Sequence, residues 1–169
     1  LQHIRQGISV FVSAPTGSGK TVLAEVDVEK ALAGGGIAIY TAPIKALSNQ
    51  KFRDFHAHYG ERVGILTGDV TLNPQAPLLI MTTEIYRNML LCNDPSLEHV
   101  SYVVFDEIHY ITDIERGTIW EESLIFSPET IRFLCLSATI PNAHEFAHWI
   151  ETIKGHKVHV VSNDKRVVP

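Results

Sequence analysis

Residues 8–21, ISVFVSAPTGSGKT, join a short apolar run to a glycine-rich loop that ends in Gly-Lys-Thr. Val, Ile and Phe dominate the first half, which predicts a β-strand over residues 8–13. A glycine-rich loop between a strand and a helix directs successive backbone N–H groups into one concavity, and that concavity suits a phosphate group. The segment therefore predicts a strand, a phosphate-binding loop and a helix that begins near residue 19.

The loop supplies ligands for both a nucleotide and a metal ion. The ammonium of Lys20 would reach the β- and γ-phosphates of ATP, and the Thr21 hydroxyl would bind Mg²⁺. The first glycine of the usual pattern is replaced by Ala14, which is compatible with the loop only if φ is negative there. An ordinary glycine-rich turn is the alternative, and the flanking strand and helix disfavour it. The predicted nucleotide-binding residues are Thr16, Gly17, Ser18, Gly19, Lys20 and Thr21.

A second candidate site follows the apolar run 102–105, where the chain continues as Asp106-Glu107-Ile108-His109. A buried strand that ends in two adjacent carboxylates supplies what a nucleoside triphosphatase needs. Asp106 can hold Mg²⁺, and Glu107 can orient and deprotonate the attacking water. A solvated acidic turn is the alternative for this segment alone, but the upstream loop favours the catalytic interpretation.

Composition limits the class of protein. The chain has 169 residues, of which 45% are hydrophobic and 20% charged, and this is typical of one globular domain with its own core. The net charge of −5 provides no global basic field, so any site for a polyanion must be local. Cys92 and Cys135 are far apart and form no metal or redox motif. With neither a signal peptide nor a membrane-spanning run, we expect an intracellular protein, cytoplasmic or else nuclear, with no membrane partner.

Strand-like and helix-like segments alternate along the chain. Predicted strands cover residues 8–13, 37–42, 63–66, 78–82, 100–105, 132–137 and 157–161. Predicted helices cover about residues 19–33, 45–58, 83–92, 116–126 and 143–153. This alternation predicts an α/β fold with a mostly parallel, doubly wound sheet and helices on both faces. Because phosphate sites in such sheets lie at the carboxyl ends of strands, the two motifs can converge.

The two ends of the chain have the character of an excised domain. The first residue is Leu, and residues 1–6 have the composition of the last turn of a helix that Gly7 closes. We assign residues 1–161 to one domain and residues 162–169 to the start of a linker.

Six segments closely resemble the first RecA-like domain of a superfamily 2 DExH-box helicase, of the superkiller (Ski-like) RNA helicase group. They cover most of the chain in the order found in that family. The segments are APTGSGKT (14–21), TAPIKALSNQKFRDF (41–55), TGDVTLNP (67–74), MTTEIYRNML (81–90), VVFDEIHYITDIERGTIWEE (103–122) and LSATIPNAHEFAHWI (136–150). The resemblance implies a RecA-like P-loop NTPase fold and an ATP-dependent helicase that acts on RNA.

The resemblance also assigns roles to further residues. Ser137 and Thr139 lie in a segment that resembles motif III, which couples hydrolysis to nucleic-acid handling in the family, and His109 would contact that segment or the phosphates. Other positions would line a groove for single-stranded nucleic acid and contact its sugar-phosphate backbone. These positions are Pro43, Lys45, Gly68, Asp69, Thr83 and Glu84.

Two parts that the resemblance implies are not in this sequence. These are an adenine-recognising glutamine segment before residue 1 and a second RecA-like domain, with its arginine fingers, after residue 169. Without those arginines the transition state would be under-stabilised by on the order of 10³ in rate or more. We therefore expect this chain to bind nucleotide but to hydrolyse it poorly.

Other functions compatible with these motifs stay open. A DNA helicase of the related repair type would use the same chemistry, because RNA and DNA differ here only through 2′-hydroxyl contacts. A nucleotide-switched nucleic-acid clamp would bind but not unwind. A small-molecule P-loop kinase is disfavoured because it would need an acceptor site and a lid.

Several other residues have a structural and a functional interpretation. His144 and His148 form an HExxH pattern, typical of zinc proteases, but they lie inside a segment that the helicase resemblance explains. Lys51 and Arg53 are predicted to be surface residues of a solvated helix face. Trp120 and Phe126 are predicted to pack in the core rather than to stack on bases.

Overall fold

The computed structural model describes residues 8–109 and 114–163. Its strands are β1 (Ser9–Ser13), β2 (Ile37–Ala42), β3 (Val63–Leu66), β4 (Thr71–Leu72), β5 (Leu78–Thr82), β6 (Val100–Phe105), β7 (Arg132–Ser137) and β8 (Val158–Ser162). Its helices are α1 (Lys20–Gly34), α2 (Lys45–Tyr59), α3 (Thr83–Leu91), α4 (Ile114–Phe126) and α5 (Ala143–Lys154). Short 3₁₀ helices cover Gly60–Arg62 and Pro95–His99. The predicted order of strands and helices is confirmed.

The described strands form one sheet in the order β4-β3-β5-β2-β6-β7-β1-β8. Every neighbouring pair is parallel except β3 and β4, which are antiparallel. β4 is not among the predicted strands, because two exposed residues are too few to show the alternation by which strands are recognised. The mostly parallel sheet is confirmed.

Helices cover both faces of the sheet, as the doubly wound prediction requires. Alternate residues of β1 point to opposite faces, so that Phe11 belongs to one apolar cluster and Val10 and Val12 belong to the other. The Phe11 cluster includes residues from α3, α4 and α5. The Val10 cluster includes residues from α1 and α2. Since both faces of the central strands are buried, their sequences are continuously apolar.

The two aromatic residues predicted to pack in the core differ in their burial. Trp120 is 1% exposed and its ring centroid lies 5.1 Å from that of Phe105, which confirms the prediction. Phe126 is 51% exposed, so the prediction for it is wrong. Phe126 is the last residue of α4, and the helical pattern of the sequence does not show where the helix ends.

The helix ends and the strand β8 refine the sequence-based boundaries. Gly35, with φ of 74°, ends α1 in the left-handed region where glycine is favoured. Asn142 occupies the N-cap position of α5, but its side chain makes no capping hydrogen bond. Ser162 still pairs with Ser13 in the sheet, and the Asn163 N–H donates to the Ser13 carbonyl, so strand pairing continues past residue 161. Residues 1–7 and 164–169 lie outside the described residues.

Parallel pairing brings the carboxyl ends of seven strands to one edge of the sheet. β6, β7 and β1 are consecutive neighbours there, and β2, β5 and β3 are consecutive neighbours on the other side of β6. The motifs at the ends of these two groups of strands therefore form two adjoining regions. Within residues 8–109 and 114–163, no helix has both the length and the apolar character needed to cross a lipid bilayer.

Candidate nucleotide-binding site and adjoining groove

The loop after β1 has the backbone shape that the sequence predicts. Gly17 and Gly19 have φ of 83° and 82°, values that residues with a Cβ atom rarely adopt. Ala14 is not among the residues with positive φ, which meets the condition for alanine at this position. Its N–H donates to the Ser137 carbonyl at 3.1 Å. This bond fixes the start of the loop to the end of β7.

Lys20, the first residue of α1, links the same two strands through its side chain. Its ammonium donates to the carbonyl oxygens of Ala14, at 2.9 Å, and of Ser137, at 2.8 Å. Burial lowers the pKa of Lys20, while the charges of Glu107 and Asp106 oppose that shift. The ammonium is thus held inside the loop by two carbonyl groups, which phosphate oxygens could replace as partners.

Asp106 and Glu107 follow β6, the other neighbour of β7. The Asp106 N–H donates to the Thr41 carbonyl at 3.0 Å, and the Tyr40 hydroxyl donates to Asp106 Oδ2. The N–H of Glu107 donates to Asp106 Oδ1 at 2.9 Å. Glu107 has φ of 56°, a strained value for a residue other than glycine. The two adjacent carboxylates have different partners, since Asp106 accepts from the Tyr40 hydroxyl and Glu107 lies beside His109.

His109 connects the acidic turn to the segment after β7. Its Nε2 lies 3.1 Å from Glu107 Oε2, and its Nδ1 accepts a hydrogen bond from the Ala138 N–H at 3.1 Å. Ser137 is buried, and its hydroxyl donates to the Ala138 carbonyl. Thr139 is exposed. The structure thus brings His109 and Ser137 into the site.

The donor groups of this site fit a Mg²⁺ ion and a phosphate group. Thr21 and Asp106 offer a hydroxyl and a carboxylate, the hard oxygen ligands that Mg²⁺ prefers. The hydroxyl of Ser18 is buried within the loop and has no hydrogen-bond partner. Because buried polar atoms are normally paired, this hydroxyl is suited to a ligand that enters the loop.

A groove lies at the ends of β2, β3 and β5. It encloses about 560 Å³ and includes Pro43, Lys45, Gly68 and Glu84 among its lining residues. Four of the six predicted nucleic-acid positions therefore line one cavity. The exposed Lys45 ammonium lies 2.7 Å from Asp69 Oδ2, which brings a fifth position to its edge.

Thr83, the sixth position, is the first residue of α3. It is buried, and its hydroxyl has no hydrogen-bond partner. The preceding Thr82 caps the helix, since its hydroxyl accepts a hydrogen bond from the Ile85 N–H at 3.3 Å.

Comparison with known proteins identifies the family. Residues 1–146 match the DEAD/DEAH box helicase family. The chain belongs to this family. It is 50% identical over 168 residues to the antiviral helicase SKI2 of Saccharomyces cerevisiae, and the match covers 99% of this chain and 13% of that protein. It is 53% identical over 161 residues to the ATP-dependent RNA helicase mtr4 of Schizosaccharomyces pombe, which covers 95% of this chain and 14% of the relative.

Solved structures confirm that the fold is that of a helicase RecA-like domain. The DUF1998 helicase MrfA bound to DNA superposes with a TM-score of 0.77 at 20% identity, over 96% of this chain and 26% of that one. The Pyrococcus furiosus Hef helicase domain gives a TM-score of 0.67 at 24% identity, over 95% of this chain and 36% of that one. At these identities the likeness concerns the fold alone.

Membership of a helicase family implies that the domain uses a nucleotide and acts with nucleic acid. The HExxH pattern of this helicase domain lies on α5, where His144 and His148 are both exposed. His148 Nδ1 lies 3.8 Å from Glu151 Oε2. Among the described residues, no group of three or more His, Cys, Asp or Glu side chains is arranged to hold a metal ion. That the HExxH match is accidental stays a prediction.

Two residues outside the phosphate-binding loop and the acidic turn were not predicted to belong to the site. Tyr40 lies on β2 and contacts Asp106, and the only signal in the sequence is a hydroxyl-bearing ring within an aliphatic strand. Lys51 was predicted to be a surface residue, and this is wrong: it is half-buried and its ammonium donates to Thr21 Oγ1 at 3.2 Å. The sequence pattern cannot show that α2 packs beside the loop. Arg53 is exposed, as predicted.

Proposed function

We propose that this chain is the ATP-binding motor domain of an ATP-dependent RNA helicase, which hydrolyses ATP to translocate on RNA and to unwind it. One observation carries the proposal. Three neighbouring strand ends, those of β6, β7 and β1, are joined by the Lys20, His109 and Ala14 hydrogen bonds. Lys20, proposed to bind phosphate, and Glu107, proposed to activate water, are therefore both connected to the proposed coupling segment, Lys20 directly and Glu107 through His109.

The residues of the nucleotide site would have different roles in hydrolysis. Thr21 and Asp106 would hold Mg²⁺, which neutralises phosphate charge when it is bound. Lys20 would exchange its two carbonyl partners for phosphate oxygens. Glu107 would orient the attacking water and accept its proton, and His109 would hold the Glu107 carboxylate in place.

The groove at the other half of the sheet edge would bind a single strand. Lys45, which lines the groove, would contact a phosphate after it separates from Asp69. RNA is proposed rather than DNA because a relative that is 53% identical carries the name of an RNA helicase. Since this chain spans 13% of the SKI2 relative, we propose that a second RecA-like domain of the same protein completes both sites.

The deciding experiment is ATP turnover by the full-length parent protein with RNA, with single-stranded DNA or with neither. Stimulation by RNA above that by DNA would support the proposal, and the reverse order would favour a DNA helicase. Turnover that neither polymer changed would contradict both. Residues 1–169 alone should bind nucleotide weakly and should not separate a duplex, because one wall of each site is expected to come from the second domain.

A further inference from the structure

Lys51 contacts the nucleotide site from outside the sequence motifs that define it. Its ammonium donates to Thr21 Oγ1 at 3.2 Å and lies 5.9 Å from the centroid of the Tyr40 ring, a cation–π arrangement. Thr21 is the hydroxyl that fits Mg²⁺ in the proposed function. A positive charge of the protein therefore already contacts the oxygen atom that the metal ion requires.

The same side chain reaches the second proposed metal ligand indirectly. The Tyr40 ring lies beneath the Lys51 ammonium, and the Tyr40 hydroxyl donates to Asp106 Oδ2. Lys51 thus touches Thr21 directly and Asp106 through one intervening ring. Tyr40 is fully buried, so this connection runs through a fixed part of the structure.

We propose that Lys51 is a positioning residue that holds the Thr21 hydroxyl when no nucleotide is bound and that is displaced by Mg²⁺ with ATP. The inference rests on the proposed function, because it assumes that Thr21 binds the metal ion. An ammonium and a divalent cation at one oxygen atom repel each other, and the repulsion is strong where solvent is partly excluded. Lys51 therefore raises the Mg²⁺ concentration that the site needs. When the metal ion binds, the release of Lys51 also breaks the hydrogen bond between α2 and Thr21.

The test measures ATP binding to the full-length parent protein by calorimetry at increasing Mg²⁺ concentrations. Lys51→Met removes the charge and keeps the aliphatic stem over Tyr40, and Lys51→Gln provides a second neutral variant. In both variants we expect half-saturation at about three- to ten-fold less Mg²⁺ than in the wild type. Lys51→Arg should restore much of the wild-type requirement. ADP binding without Mg²⁺ should not change.

The matched control is Lys157→Gln, which removes one positive charge from an exposed position outside the cavity that Thr21 and Lys51 line. It should leave the Mg²⁺ requirement unchanged. An equal shift in the control, or an unchanged requirement in both neutral Lys51 variants, would overturn the inference. Weaker ADP binding without Mg²⁺ in those variants would also overturn it, since Lys51 would then be a phosphate ligand. A wild-type chain that bound no nucleotide would overturn the proposed function as well, so the two failures are distinguishable.

Discussion

The Nε2 atom of His109 lies 3.1 Å from the Oε2 atom of Glu107. The other ring nitrogen, Nδ1, accepts a hydrogen bond from the Ala138 N–H, so it carries no proton in this arrangement. The proton is then on Nε2, which donates to Glu107. The backbone after β7 thereby selects the tautomer that orients the proposed water-activating carboxylate.

Replacement of His109 by alanine should lower ATP turnover but leave nucleotide binding almost unchanged. Glu107 would lose its orienting donor while Lys20 and the loop stay intact. We expect RNA-stimulated ATP turnover of the full-length protein to fall by about 10- to 100-fold with little change in nucleotide affinity. The exposed His99→Ala serves as the control. Unchanged turnover in His109→Ala would contradict the orienting role.

Lys20→Ala should weaken ATP binding without unfolding the domain. The two carbonyl groups that Lys20 contacts would lose a donor, but Ala14 and Ser137 stay joined by their backbone hydrogen bond. Loss of a charge-assisted contact with phosphate should reduce affinity by about 10-fold or more. Binding of a fluorescent ATP analogue would measure this. Lys157→Ala, at an exposed position, should bind normally.

Glu107→Gln and Asp106→Asn should fail in different steps. Glu107→Gln keeps the shape of the side chain but removes the base, so the full-length protein should bind ATP with Mg²⁺ and not turn it over. Asp106→Asn should weaken the Mg²⁺-dependent part of binding itself. Binding titrations with and without Mg²⁺, together with turnover, distinguish the two. Normal turnover in Glu107→Gln would contradict the assignment of Glu107 as the catalytic base.

Tyr40→Phe should destabilise the domain through Asp106. The substitution deletes a buried hydroxyl that donates to a carboxylate, which should lower the free energy of unfolding by about 1.5–3 kcal/mol. Urea unfolding of Tyr40→Phe, Asp106→Asn and the double variant would give the coupling between them. If the two losses of stability simply added, the hydrogen bond would not carry the effect.

Asp27 should make stability depend on pH. It is 1% exposed on α1, and burial raises its pKa to about 8, although the charge of Lys30 opposes the shift. The ordinary pKa of an unfolded aspartate is about 3.9, so the folded state holds the extra proton between about pH 4 and pH 8. Stability should therefore fall as pH rises through that window, by at most about 1.4 kcal/mol per unit.

The comparison that isolates this effect is urea unfolding at pH 5.5 and pH 8. Asp27→Asn should flatten the pH dependence and should stabilise the protein most at pH 8, because it removes a carboxylate that is costly to bury. Glu29→Gln, on an exposed turn of the same helix, should keep the wild-type slope. Equal slopes in the wild type and Asp27→Asn would show that Asp27 is not the group responsible.

The sequence by itself determined the order of strands and helices and the residues that follow each strand. Apolar periodicity, the glycine-rich loop and the acidic pair are local signals, and they placed Asp106 and Glu107 after a strand and Lys20 and Thr21 at the start of a helix. The strand β4 was not predicted, because it contains only two residues. The burial of Phe126 was predicted wrongly, because the sequence does not show where α4 ends.

Only the tertiary structure decided which strand ends are neighbours. β7 lies between β1 and β6, so that Ser137 contacts Lys20 while Ala138 contacts His109. It also placed Lys51 of α2 beside Thr21 and Tyr40 of β2 beside Asp106. The physical reason is that hydrogen-bond order within a sheet and the packing of a helix against it join residues distant in the chain. Local propensity and periodicity carry no information about such pairs.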